Sequence, residues 1–492
     1  MEKSFHYKCP KGKEFGNNVP PLNYKLNSYW TKLIESESGR GVLSIINNTN
    51  NGTWLFYNCE WQNLYGGAET EILSTICTSL GIPRISSVKY GFNSSIIFRT
   101  DDYPVKDPFP AINYTGGRIG IASIMNKTTQ EQANQILNSY AEPVPHGWNH
   151  SNLAEKSIET NKHLINKCKS AFTERFNCNP IYFATPYNRW DSNTTEALKE
   201  FGFNYLTDAS AIRREGGHPI IWTHLGSKDN KWEDGILKLY TESKMIKDPI
   251  YTLWHLDGKG SNYEDICLWN DWADKSFETY IERINHQIEY QFHRRDVRIY
   301  KYNRSIYKIK SNYTFKSGMT IEFPFKITSA KLDDKFCLTK DRSIILPKVN
   351  MGTHIIVLNF KNSSGFNSIN YTHPIVNWSK KFHNSYYNLS LTVETLSSKP
   401  IKSTLKIEVQ QSPPFKLIGD DIKDFNYHEG LLTIKLRSSW KSTIKIEFYR
   451  PNKEKYHFLK LFIFLIIIGT LFAISLVILK NYSNSFSFVQ FD

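Results

Sequence analysis

The sequence predicts an α/β domain with a parallel sheet wrapped by helices, then an all-β region, then one apolar membrane helix. Three observations predict it. Between about 93 and 296, apolar strand-like runs alternate with helix-like stretches. Beyond 297, short strands rich in Ile, Thr, Lys and Tyr follow one another with Ser, Asn, Pro and Gly between them. Near the end, nineteen consecutive residues carry no charge. A chain of 492 residues has room for about three folded units. Its 28 Tyr, 30 Phe and 12 Trp supply cores, which excludes a disordered or collagen-like polymer.

In chain order, residues 1–92 hold two strand-like runs, GVLSIINN and TWLFYNCEW, followed by the helix-like ETEILSTICTSLGI. They form a small α/β unit of unknown role. In 93–296 the strand runs are SSIIFRTDD, RIGIASIM, IYFATPY, FNYLTDAS and IYTLWHL. The helix-like partners are TTQEQANQILNSY, LAEKSIETNKHLINKCKSAF, NTTEALKEFGF and SFETYIERINHQIEYQF, a pattern that implies a parallel sheet. In 297–455, TIEFPFKI, HIIVLNF, YNLSLTVET, STLKIEVQ, LLTIKL and STIKIEF read as one or two β-sandwich modules.

The run at 461–479, LFIFLIIIGTLFAISLVIL, approaches the roughly 30 Å hydrocarbon core at about 1.5 Å per residue, so it reads as a transmembrane helix. Tyr456, His457 and Lys460 on one flank and Lys480, Asn481 and Tyr482 on the other are headgroup-level residues. Orientation sets two rules against each other. The N-terminal MEKSFHYKCPKGKEFG has no apolar secretory core, and Arg450, Lys453, Lys455 and Lys460 precede the helix while Lys480 follows it, which describes a cytosolic tail-anchored protein. Fourteen N-x-S/T sequons, from Asn47 to Asn481, suit a glycosylated surface protein instead. The expectation is a single-pass membrane glycoprotein with its body outside.

Lys and Arg total 61 against 47 Asp and Glu, a formal charge of +14. The excess is spread thinly, and pairs such as Arg213-Arg214 and Arg294-Arg295 stand alone, so no stripe suited to a row of phosphates exists and nucleic acid is not an expected partner. Seven cysteines include no C-x-x-C pair, which removes support for a structural zinc site or a thioredoxin-type motif. Cys59 with Cys77 and Cys168 with Cys178 are candidate disulfides by proximity in sequence, with unpaired core thiols the alternative.

Three polar clusters fall at the C-terminal ends of strand runs, where side chains from separate strands of a parallel sheet converge. The first is FRTDDYP, whose Asp101 and Asp102 offer one carboxylate for a metal and one for a proton. Paired aspartates also end strands as turn formers and helix caps. The second is EPVPHGWNHSNL, which spaces His146 and His150 as H-x-x-x-H. On a helical turn, positions i and i+4 share a face about 5 to 6 Å apart, close enough for two imidazoles to grip one cation. A carboxylate from elsewhere completes a facial triad with open positions. The third is YFATPYNRWD, in which Pro186 fixes the turn so that backbone N–H groups can face an oxyanion, with TLWHLD ending a further strand. His255 is a candidate general acid, a core histidine is its plain alternative, and His224 competes for the role.

In order, strand-D-D, E-x-x-x-H-G-x-x-H, F-x-x-P-Y, T-x-x-A-L-x-x-x-G-F-x-Y-x-x-D and L-x-H resemble the polysaccharide deacetylases, the carbohydrate esterase family with the NodB-homology domain, as a divergent member. The resemblance covers roughly 93–296. It implies a distorted (β/α) barrel and metal-assisted hydrolysis of an acetyl group. It also implies Asp101 as general base; Asp102, His146 and His150 as ligands of one divalent metal ion, expected to be zinc; Tyr187 as the oxyanion N–H; and His255 as general acid. Pro186, Trp148, Leu253 and Trp254 are the expected substrate contacts, with Leu253 lining the acetyl pocket. Where the family has an Arg that orients the aspartate, this chain has Ala184, so either Arg189 replaces it or the base is poorly held. The usual Gly after Pro-Tyr is Asn188, Thr100 replaces an aromatic, and Asp208 has lost its Arg partner.

The expected function is therefore a membrane-anchored, metal-dependent hydrolase that deacetylates a polysaccharide or glycan. The alternative is a catalytically degenerate surface protein that binds polysaccharide, which the changes at Ala184 and Asn188 favour and the retained aspartates and histidines oppose.

Overall fold

The structure is a computed structural model that describes residues 82–203, 249–256 and 261–449 apart from short gaps, with strands between 31 and 57 and between 205 and 222. The apolar stretch 461–479 lies outside the described residues. Among the described residues, no helix is long and apolar enough to cross a membrane.

Among the described residues, nine strands build the α/β part: β1 (Ser94–Tyr103), β2 (Gly120–Ser123), β3 (Glu142–Pro145), β4 (Tyr182–Ala184), β5 (Tyr205–Thr207), β6 (Ala211–Arg214), β7 (Pro219–Trp222), β8 (Ile250–Trp254) and β9 (Thr279–Ile281). The described helices that accompany them are α1 (Phe109–Thr115), α2 (Gln130–Asn138), α3 (Ile158–Phe176), α4 (Ser192–Glu200), α5 (Ser261–Lys275) and α6 (Ile284–His293). One sheet runs β8-β1-β2-β3, all parallel, with β9 also parallel to β1. The other runs β7-β6-β5-β4, in which only β4 and β5 are parallel. The sheets meet edge to edge where β3 runs beside β4 and β7 beside β8, so the strands ring a common interior with two seams in the ladder.

Parallel strands with both faces covered read as continuous apolar runs, and β1 is buried at nine of its ten residues. Its alternation still sorts the core. Ile96 and Phe98 pack outward with Ile165, Phe172 and Trp269 of the helices. Ile97 packs inward with Ala122, Val144, Tyr182, Ala184 and Tyr251, and Ile284 and Ile288 of α6 join this inner cluster.

Local chemistry places the helix starts. Thr129 and Gln132 form a capping box before α2, as Asp191 and Thr194 do before α4, and the Ser157 hydroxyl accepts from Thr160 N–H at the start of α3. α3 ends at Asn177 in the left-handed region, where Asn is tolerated. This ending rules out the candidate Cys168–Cys178 bridge, and both cysteines are free thiols, as the alternative reading has them. Cys168 sits eight residues inside α3, about 12 Å of axial rise before the helix stops, far beyond disulfide reach. Cys59 and Cys77 lie outside the described residues.

Before the barrel, Thr31–Glu35, Gly41–Asn48 and Gly52–Tyr57 form an antiparallel three-stranded sheet. The helix-like run that follows lies outside the described residues. Beyond the barrel the described residues, as far as Tyr449, are all β. Arg84–Ile85 joins an eight-stranded sheet made otherwise from strands between Arg298 and Asn359, pairing with Met319–Glu322, where Arg84 and Glu322 form an ion pair at 2.6 Å. A four-stranded sheet follows, ordered Phe366–Tyr371, Ile401–Val409, Leu431–Ser438, Ile422–His428. By compactness, the described residues up to Trp378, with those in Leu391–Ser412 and Gly419–Ile444, form one unit, and those in Ser379–Ser390, Pro413–Ile418 and Lys445–Tyr449 a second. Within the second, Phe415 pairs with Phe448 and Ile418 with Lys445, antiparallel.

Fully buried Lys89 lies 2.6 Å from Glu282 just after β9, and Tyr280 donates to the same carboxylate. The chain entering the barrel is thereby fixed to the chain leaving it.

Candidate active site

Asp101 and Asp102 lie within the last turns of β1, and a regular strand would send them to opposite faces. It is not regular there. Against β2, Thr100 pairs with Ile121 and Tyr103 with Ser123, three steps on one strand for two on the other. This is a β-bulge, and Asp102 absorbs it with φ 69°. Both carboxylates consequently approach one imidazole: His146 Nε2 is 3.8 Å from Asp101 Oδ2 and 3.4 Å from Asp102 Oδ1.

His146 and His150 follow β3. The H-x-x-x-H spacing suggested a helical turn; the structure has an irregular loop, because Gly147 (φ 82°) and His150 (φ 56°) are left-handed and interrupt any helix. The loop is pinned to the end of β2: His146 N–H donates to Ser123, while Met125 and Asn126 N–H groups donate to the Gly147 and Trp148 carbonyls. A side chain at 147 would crowd Pro186 Cγ at 3.0 Å, so space adds to the preference for glycine that φ sets. The two rings end 5.0 Å apart, and His150 Nε2 lies 2.9 Å from Asp102 Oδ1.

Pro186–Asn188 form a 3₁₀ turn after β4 in which Tyr187 (φ 57°) and Asn188 (φ 55°) are left-handed. Asn188 occupies a conformation that Asn adopts more readily than most residues, so the loss of a glycine there is well tolerated. The Tyr187 ring is exposed and lies 4.6 Å from the His150 ring. After β8, His255 brings Nε2 to 3.6 Å from Asp102 Oδ2. Thr100, buried, accepts a hydrogen bond from Leu256 N–H and so ties the His255 segment to β1.

One donor atom from each of Asp102, His146 and His150 lies within 4.8 Å of the others. His146 Nδ1 is 3.0 Å from the Ala184 carbonyl oxygen, which only accepts, so Nδ1 carries a proton and a neutral ring turns the Nε2 lone pair toward Asp102. A lone pair facing a carboxylate leaves a place for a cation. The hydrogen-bonding ring nitrogens of His146 and His150 beside it hold the Asp102 carboxyl well below the usual carboxylate range, against the opposing effect of burial. Two imidazoles and a carboxylate are a donor set suited to a divalent cation, three ligands that leave coordination positions for water and substrate.

Residues 115–206 match the sequence profile of the family described as polysaccharide deacetylase. The chain carries a polysaccharide deacetylase domain. The match includes His146, His150 and the Tyr187 turn, while Asp101 and Asp102 lie before it and His255 beyond it. No curated protein matches the chain. Among solved structures, a protein assigned as a polysaccharide deacetylase from Mycobacterium smegmatis is 12% identical, over 43% of this chain and 93% of its own, with a TM-score of 0.34. A variant of the peptidoglycan deacetylase of Bacillus subtilis is 13% identical over 42% and 96%, with a TM-score of 0.29. The carbohydrate esterase domain of a xylanase from the hindgut metagenome of Trinervitermes trinervoides is 11% identical over 40% and 91%, with a TM-score of 0.30.

Not every expected residue of the deacetylase domain reaches the site. Trp254 turns to the other face of β8, packs into the outer core and spends its N–H on Thr252 Oγ1 at 3.0 Å. Strand alternation puts it opposite Leu253, so it is removed from the expected substrate contacts. Trp148 packs partly buried against the same outer core, and Pro186 is buried under Gly147. Leu253 is buried as the register partner of Arg99. Glu142, first in the histidine motif, lies at the opposite end of β3 and accepts from Ile284 N–H at the start of α6. His224 and Asp208 lie outside the described residues.

The expectation about Arg189 is corrected. Arg189 is exposed, whereas buried Asp101 is held by Arg99, with Nε 2.8 Å from Oδ1 and Nη2 3.0 Å from Oδ2. Arg99 and its partner Tyr251 are the residues that the motifs did not single out.

Proposed function

We propose that this chain is a metal-dependent hydrolase that removes acetyl groups from a polysaccharide or glycan, anchored to a membrane through 461–479 with its body outside. The observation that carries the reading is the convergence of Asp101, Asp102, His146, His150 and His255 at one end of the parallel strands, around a donor set for one cation. The match of residues 115–206 to the polysaccharide deacetylase family supports an acetylated carbohydrate substrate. The anchor rests on the apolar stretch, and the outside orientation on the surface location of polysaccharide substrates of this kind, which the sequons suit.

Asp102, His146 and His150 would hold the cation, expected to be zinc, which when bound supplies Lewis acidity and lowers the pKa of a water from about 15.7 to about 7. Asp101 takes the proton from the attacking water, placed for it by the bulge that turns both carboxylates to one side. The Tyr187 N–H donates to the acetyl oxygen as it gains charge. His255 gives a proton to the departing amine or alkoxide. Leu253 lines the space for the acetyl methyl group.

The test is acetate release by the full chain, purified in detergent, from N-acetylated and O-acetylated oligosaccharides. Asp101→Asn should lower turnover by on the order of 100-fold or more with metal content unchanged, since it removes a proton acceptor and no ligand. Unaltered turnover would move the base elsewhere.

A further inference from the structure

Ile97, Arg99 and Asp101 alternate along β1, so all three face the barrel interior. Arg99 is 0% exposed. Beyond its two contacts to Asp101, its Nη1 donates to the Tyr251 hydroxyl at 2.6 Å, and the guanidinium lies 5.4 Å from the Tyr251 ring centroid. A guanidinium withdrawn from water is costly, and a buried ion pair rarely stabilises a core more than apolar side chains of the same volume. An apolar residue would serve packing here. What the charge adds is direction: Nη2 donates to Asp101 Oδ2 at 3.0 Å while Nε stands 2.8 Å from Oδ1, and a hydrogen bond to one oxygen with a charge contact at the other fixes the carboxylate's plane more firmly than one neutral donor. The fixed carboxylate presents Oδ2 to His146 Nε2.

The strand that faces Asp101 across the interior offers no alternative. Ala184 of β4 contributes a buried methyl group and a carbonyl, and the carbonyl serves His146.

We propose that Arg99 is the positioning residue for Asp101, with Tyr251 holding the guanidinium in turn. The role is filled from the base's own strand, two residues upstream. This rests on the reading of Asp101 as the general base.

A positioning residue that works only through Asp101 makes a prediction that a structural residue does not. In the full chain, Arg99→Met should lower kcat by about 10- to 100-fold with KM and metal content within about twofold of wild type. Introduced into Asp101→Asn, the same change should cost less than about twofold more, because the group it positions is already gone. Arg99→Lys keeps the charge and loses the guanidinium, so it should retain the fold and still lose kcat. It serves as the second variant should Arg99→Met not fold. Unchanged kcat in Arg99→Lys, or losses for Arg99→Met and Asp101→Asn that multiply, would overturn the proposal; so would loss of the metal with Arg99. An inactive wild-type chain, or full turnover in Asp101→Asn, would instead overturn the proposed function on which it rests.

Discussion

Asp101 and Asp102, neighbours in one strand, both bring a carboxylate oxygen within 4 Å of the same atom, His146 Nε2. The bulge in β1 makes this possible, and without it one carboxylate would point into the outer core. Asp102 (φ 69°), His150 (φ 56°) and Tyr187 (φ 57°) are left-handed, so three non-glycine residues of the site are held in a conformation that costs free energy.

The ligand reading predicts a division of labour. His150→Ala should reduce bound divalent metal from about one per chain to less than about a tenth, since it removes one donor of three. Metal analysis of the purified chain checks this. Metal at the wild-type level would exclude His150 as a ligand.

Gly147→Ala should destabilise the domain by about 1–3 kcal/mol, because a Cβ would meet Pro186 Cγ at 3.0 Å on a backbone at φ 82°. Denaturant unfolding measures it. The same variant should weaken metal binding, as the loop carries both histidines, and unchanged stability would mean that the loop has another path.

The Glu282 network predicts an acid limb of stability. Burial works against the charged carboxylate, but Lys89 and His286 outweigh it and hold Glu282 at about 2, below its usual 4.5. A carboxyl depressed in the folded state contributes stability that is complete above the unfolded value and lost as pH falls through the folded one. The thermal midpoint should therefore drop as pH falls from about 4.5 toward about 2, and Lys89→Met should flatten that fall. An equal slope in both proteins would remove the pair as its cause.

Thiol chemistry separates the cysteines of α3 and the loop after it. Burial pushes the Cys168 thiol up to about 12, while Cys178 is exposed. Under native conditions an alkylating reagent should modify Cys178 and leave Cys168 untouched until the protein is unfolded, as read by mass spectrometry of peptides. Recovery of a peptide disulfide between them would contradict the helix geometry.

The parts of the barrel that could be read from sequence are those written locally. The strand runs before Asp101, His146 and Pro186, and the helices that Thr129, Ser157 and Asp191 cap, all carry their signals within a few residues. The bulge does not, because Thr100, Asp101 and Asp102 look alike whether a strand ends or buckles. The helical reading of H-x-x-x-H failed because Gly147 and His150 adopt positive φ under a tertiary contact with Pro186. Pairing of Arg84–Ile85 with Met319–Glu322 joins segments too far apart for any pattern to reveal. Arg99 was within reach: an Arg two residues before an Asp on a strand shares its face. Its position in an otherwise apolar run was the available signal.

The orientation of the anchor is separately testable. With the body outside, protease added to intact cells should remove the region 297–455, with lysed cells as the positive control. Full protection would place the body in the cytosol and leave the sequons idle.

The central claim is that Asp102, His146 and His150 hold a cation on which deacetylation depends. Acetate release from acetylated oligosaccharides should be measured on the full chain after chelation and again after reloading with zinc. The account predicts loss of turnover by more than about 100-fold on metal removal and its recovery on reloading. Undiminished release from chain shown to be free of metal would contradict it.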